Sequence, residues 1–161
     1  MGRPAVKAYL EMDQSLGGCY KEAYKIKNRN PWHETPLPKQ IDAFISGMSH
    51  TGPWLCLKSM PGLTATNTLY IVKFHSQLSA DQKAAWALSL LTSCARDTLH
   101  GRVYADGLMK YEPGDLLKAR LPRPNNTKGA RLYYSRVIKT LLSKGGAEAC
   151  RMADRWFARS G

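Results

Sequence analysis

The clearest hydrophobic pattern in the chain is a stripe of apolar residues over positions 80–98. Ala84, Leu88, Leu91 and Ala95 recur three and four positions apart, which is the spacing that places side chains on one face of an α-helix. A Ser-x-x-Gln capping box over positions 79–82 precedes the stripe and marks a helix start. The pattern predicts a long helix over residues 80–98 with its apolar face in the core.

Short runs typical of strands precede this helix. Residues 43–48 and 54–58 are short strand candidates joined by a polar turn, and residues 67–74 form a third, rich in β-branched and aromatic side chains. Over residues 19–28, Tyr and Ile alternate with Lys and Ala. Alternation with period two is typical of a half-exposed strand. It predicts a further strand, which would present Lys25, Lys27 and, if it continues, Arg29 on one side.

Helices dominate the two ends of the chain. We predict a helix over residues 4–16, a short one starting at residues 112–115, and two more over about 130–143 and 146–159, separated by Gly145-Gly146. Strands come early and helices late, without a βαβ alternation, which favours the α+β class. The predicted architecture is a small, mainly antiparallel sheet with a long core helix and a C-terminal helical pair. Residues 122–129 form the predicted linker.

Charge adds an expectation about partners. The 161 residues include 24 Lys+Arg and 12 Asp+Glu, a net charge of +12. Residues 121–161 alone hold nine basic and two acidic side chains. Such an excess favours a polyanionic partner, which by charge alone could be DNA, RNA or an anionic membrane, whereas solvated surface helices are the plainer alternative.

Other features of the sequence argue against several classes of protein. No apolar run approaches the about 20 residues that span a membrane, so we expect no membrane association. The four cysteines are far apart in sequence, which predicts free thiols and a cytoplasmic protein. No Gly-x-Gly, P-loop or Gly-x-Ser-x-Gly motif occurs, and the four histidines lack metal-ligand spacing. We therefore expect no catalytic, cofactor or metal residues in this chain.

Three segments together carry a family resemblance. They are residues 25–32 (KIKNRNPW, followed by PLP at 36–38), residues 65–69 (ATNTL), and residues 104–116 (YADGLMKYEPGDL, closing with LP at 121–122). In this order they resemble the C-terminal, DNA-recognising part of class I adenine-specific (N6) DNA methyltransferases of restriction–modification systems. The resemblance covers about residues 3–122. Ala105 and Asp106 depart from it, since the family prefers glycines there.

The resemblance implies a division of labour. It predicts a target-recognition-like α+β domain over residues 1–122 and a basic C-terminal helical extension over residues 123–161. The family's catalytic loop, Asn/Asp-Pro-Pro-aromatic, cannot occur here because no two prolines are adjacent. We therefore expect S-adenosylmethionine only in a catalytic partner domain or subunit. Double-stranded DNA is the other expected partner.

The segments, the neighbouring His33 and the polar turn at residues 49–51 suggest which residues contact DNA. The basic side chains suit phosphates, the hydroxyl, amide and imidazole groups suit base edges or phosphates, and the indole suits stacking. Each has a structural alternative, such as a charged edge strand, a plain turn or a core anchor. The predicted contacts are Lys25, Lys27, Arg29, Trp32, His33, Ser49, His50, Asn67, Thr68 and Lys110.

Two rival functions stay open at this point. One is an enzyme of another class, such as a nuclease or hydrolase with a dispersed site that uses an acidic residue like Asp97 or Asp106. The other is a truncated remnant that folds but no longer functions.

Overall fold

The computed structural model describes residues 3–34, 37–65 and 68–160. Within the described residues, none of the helices is both long and apolar enough to span a membrane. Backbone contacts divide the chain into two compact units, Met1–Pro38 and Lys39–Gly161.

The first unit contains a predicted helix and, where a strand was predicted, a one-turn helix instead. Helix α1 spans Pro4–Glu11, shorter than the predicted 4–16, and a 3₁₀ turn follows at Gln14–Leu16. Residues Tyr24–Lys27 form a one-turn helix, α2. The prediction of a strand over residues 19–28 is wrong.

The physical reason lies in local hydrogen bonds and exposure. The N–H groups of Ile26 and Lys27 both donate to the carbonyl of Ala23, which closes a helical turn. Tyr24, an apolar position of the supposed strand, is 80% exposed. No strand in the described part of the chain pairs with this segment, so the alternation of side chains has no sheet to stabilise it.

The second unit contains two three-stranded antiparallel sheets. Strands β1 (Ala43–Ser46), β3 (Leu55–Leu57) and β4 (Leu69–Val72) form the first sheet, with β1 at its centre. Strands β2 (Met48–Ser49), β5 (Arg102–Val103) and β6 (Met109–Lys110) form the second, with β6 at its centre. The three strand-like runs predicted before the long helix are confirmed.

The long core helix is interrupted at Thr92. Helix α3 (Ala80–Leu91) begins with the predicted capping box, in which Ser79 and Gln82 bond each other's backbone N–H groups. Thr92 has an extended backbone (φ −65°, ψ 153°), and its Oγ1 accepts the N–H of Ala95 to start helix α4 (Ser93–Asp97). The helix predicted over residues 80–98 is therefore two helices, because the threonine side chain caps a new one.

The predicted C-terminal helical pair is confirmed and packs on α3. Helix α5 spans Pro113–Leu116, α6 spans Ala130–Lys144 and α7 spans Gly146–Ser160. The Asp81 carboxylate of α3 accepts the N–H groups of Gly129 and Arg131 at the start of α6. Leu88, Val137 and Trp156, from α3, α6 and α7, share one core cluster. The α+β class is confirmed, while the functional boundary after residue 122 stays a prediction.

Candidate nucleic-acid interface

The second sheet brings three of the predicted contact residues together. Strand β2 pairs with β6 so that Met48 lies opposite Lys110 and Ser49 lies opposite Met109. His50 follows β2 directly and is exposed. Ser49 and Lys110 therefore lie on one two-strand ladder, with His50 directly after it, but the two side chains point to opposite faces because successive strand residues alternate.

The first sheet adds a fourth predicted residue to the same region. Ser46, the last residue of β1, pairs with Leu69, the first residue of β4. Thr68 directly precedes Leu69 and is exposed. It therefore lies at the same end of the first sheet as Ser46, where the chain leaves β1 and continues into β2. Asn67 lies outside the described residues. We call the region formed by Ser49, His50, Thr68 and Lys110 the turn end.

Hydrogen bonds fix the shape of the turn after β2. The Ser49 hydroxyl accepts the N–H of Thr51 at 3.1 Å, and the two hydroxyl oxygens lie 3.3 Å apart. A serine hydroxyl also has a donor and a second lone pair. Ser49 therefore holds the turn in place and retains capacity for a further partner.

Lys110 is held by a carboxylate. Its Nζ lies 2.8 Å from Oε1 of Glu112. The hydrogen bond to Glu112 raises the pKa of Lys110, so the amine stays cationic throughout the neutral range. To bind a phosphate, Lys110 would exchange this carboxylate for it.

Arg96 of α4 is a further cation beside the turn end, and the sequence did not point to it. Gly52 has φ +88°, and a Cβ built there would lie 3.2 Å from an Nη atom of Arg96. Among the described residues, no carboxylate lies within salt-bridge distance of this guanidinium. Arg96 and His50 line a cavity of about 270 Å³, together with the buried Tyr111.

The position of Arg96 explains why it was missed. Nothing in the local sequence links a residue of the 80–98 stripe to a turn more than forty positions earlier. The link depends on the interruption at Thr92, which starts α4, and on a glycine at position 52 that leaves room for the guanidinium. The uninterrupted helix predicted over residues 80–98 therefore gave no reason to expect Arg96 beside the turn at Gly52.

The first unit positions the other predicted residues differently from the expectation. Lys27 ends the α2 turn and Arg29 follows it, so the two do not lie on one face of a strand. Lys27 is exposed and Arg29 is half-buried. The side chain of Lys25 lies outside what the structure describes. The predicted phosphate track along a strand is therefore wrong in its geometry.

Trp32 makes two contacts with polar side chains of its own unit. The Nζ of Lys21 lies 5.4 Å from the centroid of a Trp32 ring, a cation–π distance. His33 meets the Trp32 ring edge-on, with ring centroids 5.6 Å apart. Trp32 is only half-buried and His33 is exposed, so this indole is not sealed in an apolar core.

In the described residues, no three His, Cys, Asp or Glu side chains come together as a metal site would require.

Comparison with known proteins places the chain in a family. The sequence matches the family described as Type II methyltransferase M.Eco57I, C-terminal domain, over residues 2–157. The chain belongs to this family. No curated protein and no solved structure matches it.

Membership in the M.Eco57I C-terminal domain family confirms part of the resemblance. The predicted kinship with the C-terminal region of a methyltransferase is correct. The match continues to residue 157 and so includes α6 and most of α7, which the three motifs did not cover. The C-terminal helices are therefore part of the family's domain.

Proposed function

We propose that this chain is the DNA-binding target-recognition module of an adenine-N6 DNA methyltransferase of a restriction–modification system. In this proposal a separate catalytic domain or subunit binds S-adenosylmethionine and transfers the methyl group in the cytoplasm. One observation supports it most. Ser49, His50, Thr68 and Lys110, predicted from the sequence as DNA contacts, gather at one end of two sheets in a methyltransferase C-terminal domain.

The side chains at the turn end suit the two kinds of contact that a DNA reader makes. Hydroxyl and imidazole groups donate and accept hydrogen bonds at base edges, and arginine binds guanine or phosphate with two parallel bonds. Ser49 and His50 are the proposed base contacts. Arg96 and Lys110 are the proposed cations. Lys110 is paired with Glu112, whereas no carboxylate of a described residue lies within salt-bridge distance of Arg96.

The charge of the chain supports a role in gripping phosphates. The net charge is +12, and on α6 the exposed Arg136 and Lys139 have no carboxylate at salt-bridge distance within the described residues. On α7, by contrast, Glu148 binds both Arg151 and Arg155, at 2.6 and 2.9 Å. The unpaired cations are the ones available to release counterions from DNA.

The experiment is a fluorescence-anisotropy titration of labelled duplexes between 50 and 200 mM salt. If five or six phosphates are neutralised, log affinity falls with log salt at a slope of about −5. Arg96→Gln should weaken binding about tenfold, the scale of one arginine contact to DNA. Cys94→Ser, on the same short helix and exposed, is the control and should leave binding unchanged.

Other results would favour the rival functions. No binding to any duplex, with or without a methyltransferase catalytic domain added, would indicate a remnant. Cleavage of DNA by the purified chain with a divalent metal, lost in Asp97→Asn or Asp106→Asn, would indicate a nuclease. Binding that salt does not weaken would also contradict the proposal.

A further inference from the structure

A cavity of about 630 Å³ lies at the opposite end of the first sheet from the turn end. Strand β1 runs from Ala43, which pairs with Leu57 and Val72, to Ser46 at the turn end. The cavity is lined by residues next to the Ala43 end, including Asp42 and Leu57. The three steps from Ala43 to Ser46, at about 3.4 Å each, separate the two ends by about 10 Å. The volume falls within the roughly 300–1,000 Å³ typical of small-molecule sites.

The single acidic side chain on the described wall of this cavity is already neutralised. Asp42 is 8% exposed, and its Oδ1 lies 2.6 Å from Nζ of Lys83. Its Oδ2 accepts the N–H of Phe74 at 2.9 Å. Asp42 and Lys83 therefore form a hydrogen-bonded ion pair that adds no net charge to the cavity wall.

Two cations on the same wall have no such partner. Lys58 and Arg131 line the cavity, and no carboxylate of a described residue lies within 4 Å of either side chain. The nearby Asp81 carboxylate accepts the backbone N–H groups of Gly129 and Arg131. The backbone of Lys58 is fixed by its N–H bond to the carbonyl of Asp42. The cavity therefore carries two cationic side chains on anchored segments, neither with a salt-bridge partner among the described residues.

The remaining wall combines apolar and aromatic side chains with two serines, Ser59 and Ser135. The Tyr134 hydroxyl donates to the carbonyl of Leu55 at 2.7 Å and accepts the N–H of Leu57 at 3.3 Å. Burial raises the pKa of Tyr134 to about 12, so the phenol adds no negative charge. Leu57 and Met60 line the same space. A flat or apolar group could pack there while an anion binds the cations.

We propose that this cavity binds a phosphate ester of nucleotide size. The phosphate lies between Lys58 and Arg131, with charge-assisted hydrogen bonds from both, and the nucleoside packs against Tyr134. The phosphate can come from a free nucleotide or from DNA, because the chemistry is the same. S-adenosylmethionine, whose sulfonium adds a positive charge, does not suit a cavity with two free cations. This inference does not depend on the proposed recognition role.

The test is a titration of the full chain, at low salt, with adenosine monophosphate, adenosine and inorganic phosphate, followed by NMR or calorimetry. Adenosine monophosphate should bind at least about tenfold more tightly than adenosine, because adenosine lacks the phosphate that the two cations bind. Lys58→Gln and Arg131→Gln should each weaken it by about tenfold. Arg136→Gln removes the same charge from an exposed site of α6 that does not line the cavity and should change affinity less than about twofold.

The unfolding midpoints of the three variants provide the folding control, since none of the three side chains forms an ion pair with a described residue. Competition between duplex and nucleotide would assign the phosphate to DNA, whereas simultaneous binding would assign it to a free nucleotide. Equal affinity for adenosine and its monophosphate, equal weakening by all three variants, or tighter binding of S-adenosylmethionine would overturn the assignment. Duplex binding without nucleotide binding would overturn this inference and leave the recognition role standing.

Discussion

Replacing Asp42 by asparagine would remove the carboxylate that joins three segments of the second unit. Asp42 precedes β1, Lys83 belongs to α3, and Phe74 follows β4. The carboxylate binds the ammonium of Lys83 at 2.6 Å and the N–H of Phe74 at 2.9 Å. The side chain of Asp42 is 6% exposed and that of Lys83 is 29% exposed. The substitution keeps the shape and tests the charge.

The size of the effect follows from these contacts. Hydrogen bonds to charged groups each contribute about 1.5–3 kcal/mol. Asparagine retains an acceptor for Phe74, so the principal loss is the bond to Lys83, which can partly regain hydration because it is not fully buried. We expect Asp42→Asn to cost about 2 kcal/mol of unfolding free energy. Lys83→Met leaves the buried carboxylate without its cation and should cost about 3–5 kcal/mol.

Urea unfolding followed by tryptophan fluorescence measures these losses. The double variant should cost less than the sum of the single ones, because the two side chains act as a pair. The hydrogen bond from Lys83 lowers the pKa of Asp42 below 3.8. The stability difference between wild type and Asp42→Asn should therefore be constant above pH 5 or so and shrink as pH falls through the folded-state pKa. A cost below about 0.5 kcal/mol, or additive single variants, would refute the pairing argument.

Three further predictions concern caps, turns and cross-links. Ser79→Ala removes the side-chain acceptor of the α3 capping box and should lower the unfolding free energy by about 1 kcal/mol in urea titrations; no change would contradict the cap's importance. Gly52→Ala places a Cβ at φ +88° and 3.2 Å from Arg96; we expect a loss of about 1 kcal/mol or more and weaker duplex binding by anisotropy, and unaltered values of both would count against it. Tyr134→Phe removes the hydroxyl that accepts and donates between α6 and β3, including the bond to Leu55; it should cost about 1–2 kcal/mol, and a neutral result in thermal melts would disprove the cross-link's contribution.

Local sequence predicted the parts of the fold that local contacts determine. The α3 start was predictable because Ser79 and Gln82 satisfy each other's backbone within three residues. Helices α6 and α7 were predictable because their apolar residues follow the helical period and Gly145 (φ +85°) separates them. The end of α3 was not predictable in the same way. The apolar stripe continues past Thr92, so it gave no sign that the threonine side chain caps a new helix there.

Features that depend on distant partners were not predictable. The alternation over residues 19–28 has the strand period, but Tyr24 is exposed and a single helical turn forms there instead. The closeness of Arg96 to Gly52 depends on where α4 lies relative to the turn after β2. The Asp42–Lys83 pair spans 41 positions, and no sequence period encodes such a contact.

Selection from a pool of randomised duplexes tests the central claim most directly. The wild-type chain should enrich one short sequence. His50→Ala should alter or lose that enrichment, because a base contact carries sequence information, whereas Arg136→Gln should lower the amount of DNA bound without changing the sequence. Retention of duplexes without any enrichment, or the same enriched sequence in His50→Ala, would contradict a recognition role at the turn end.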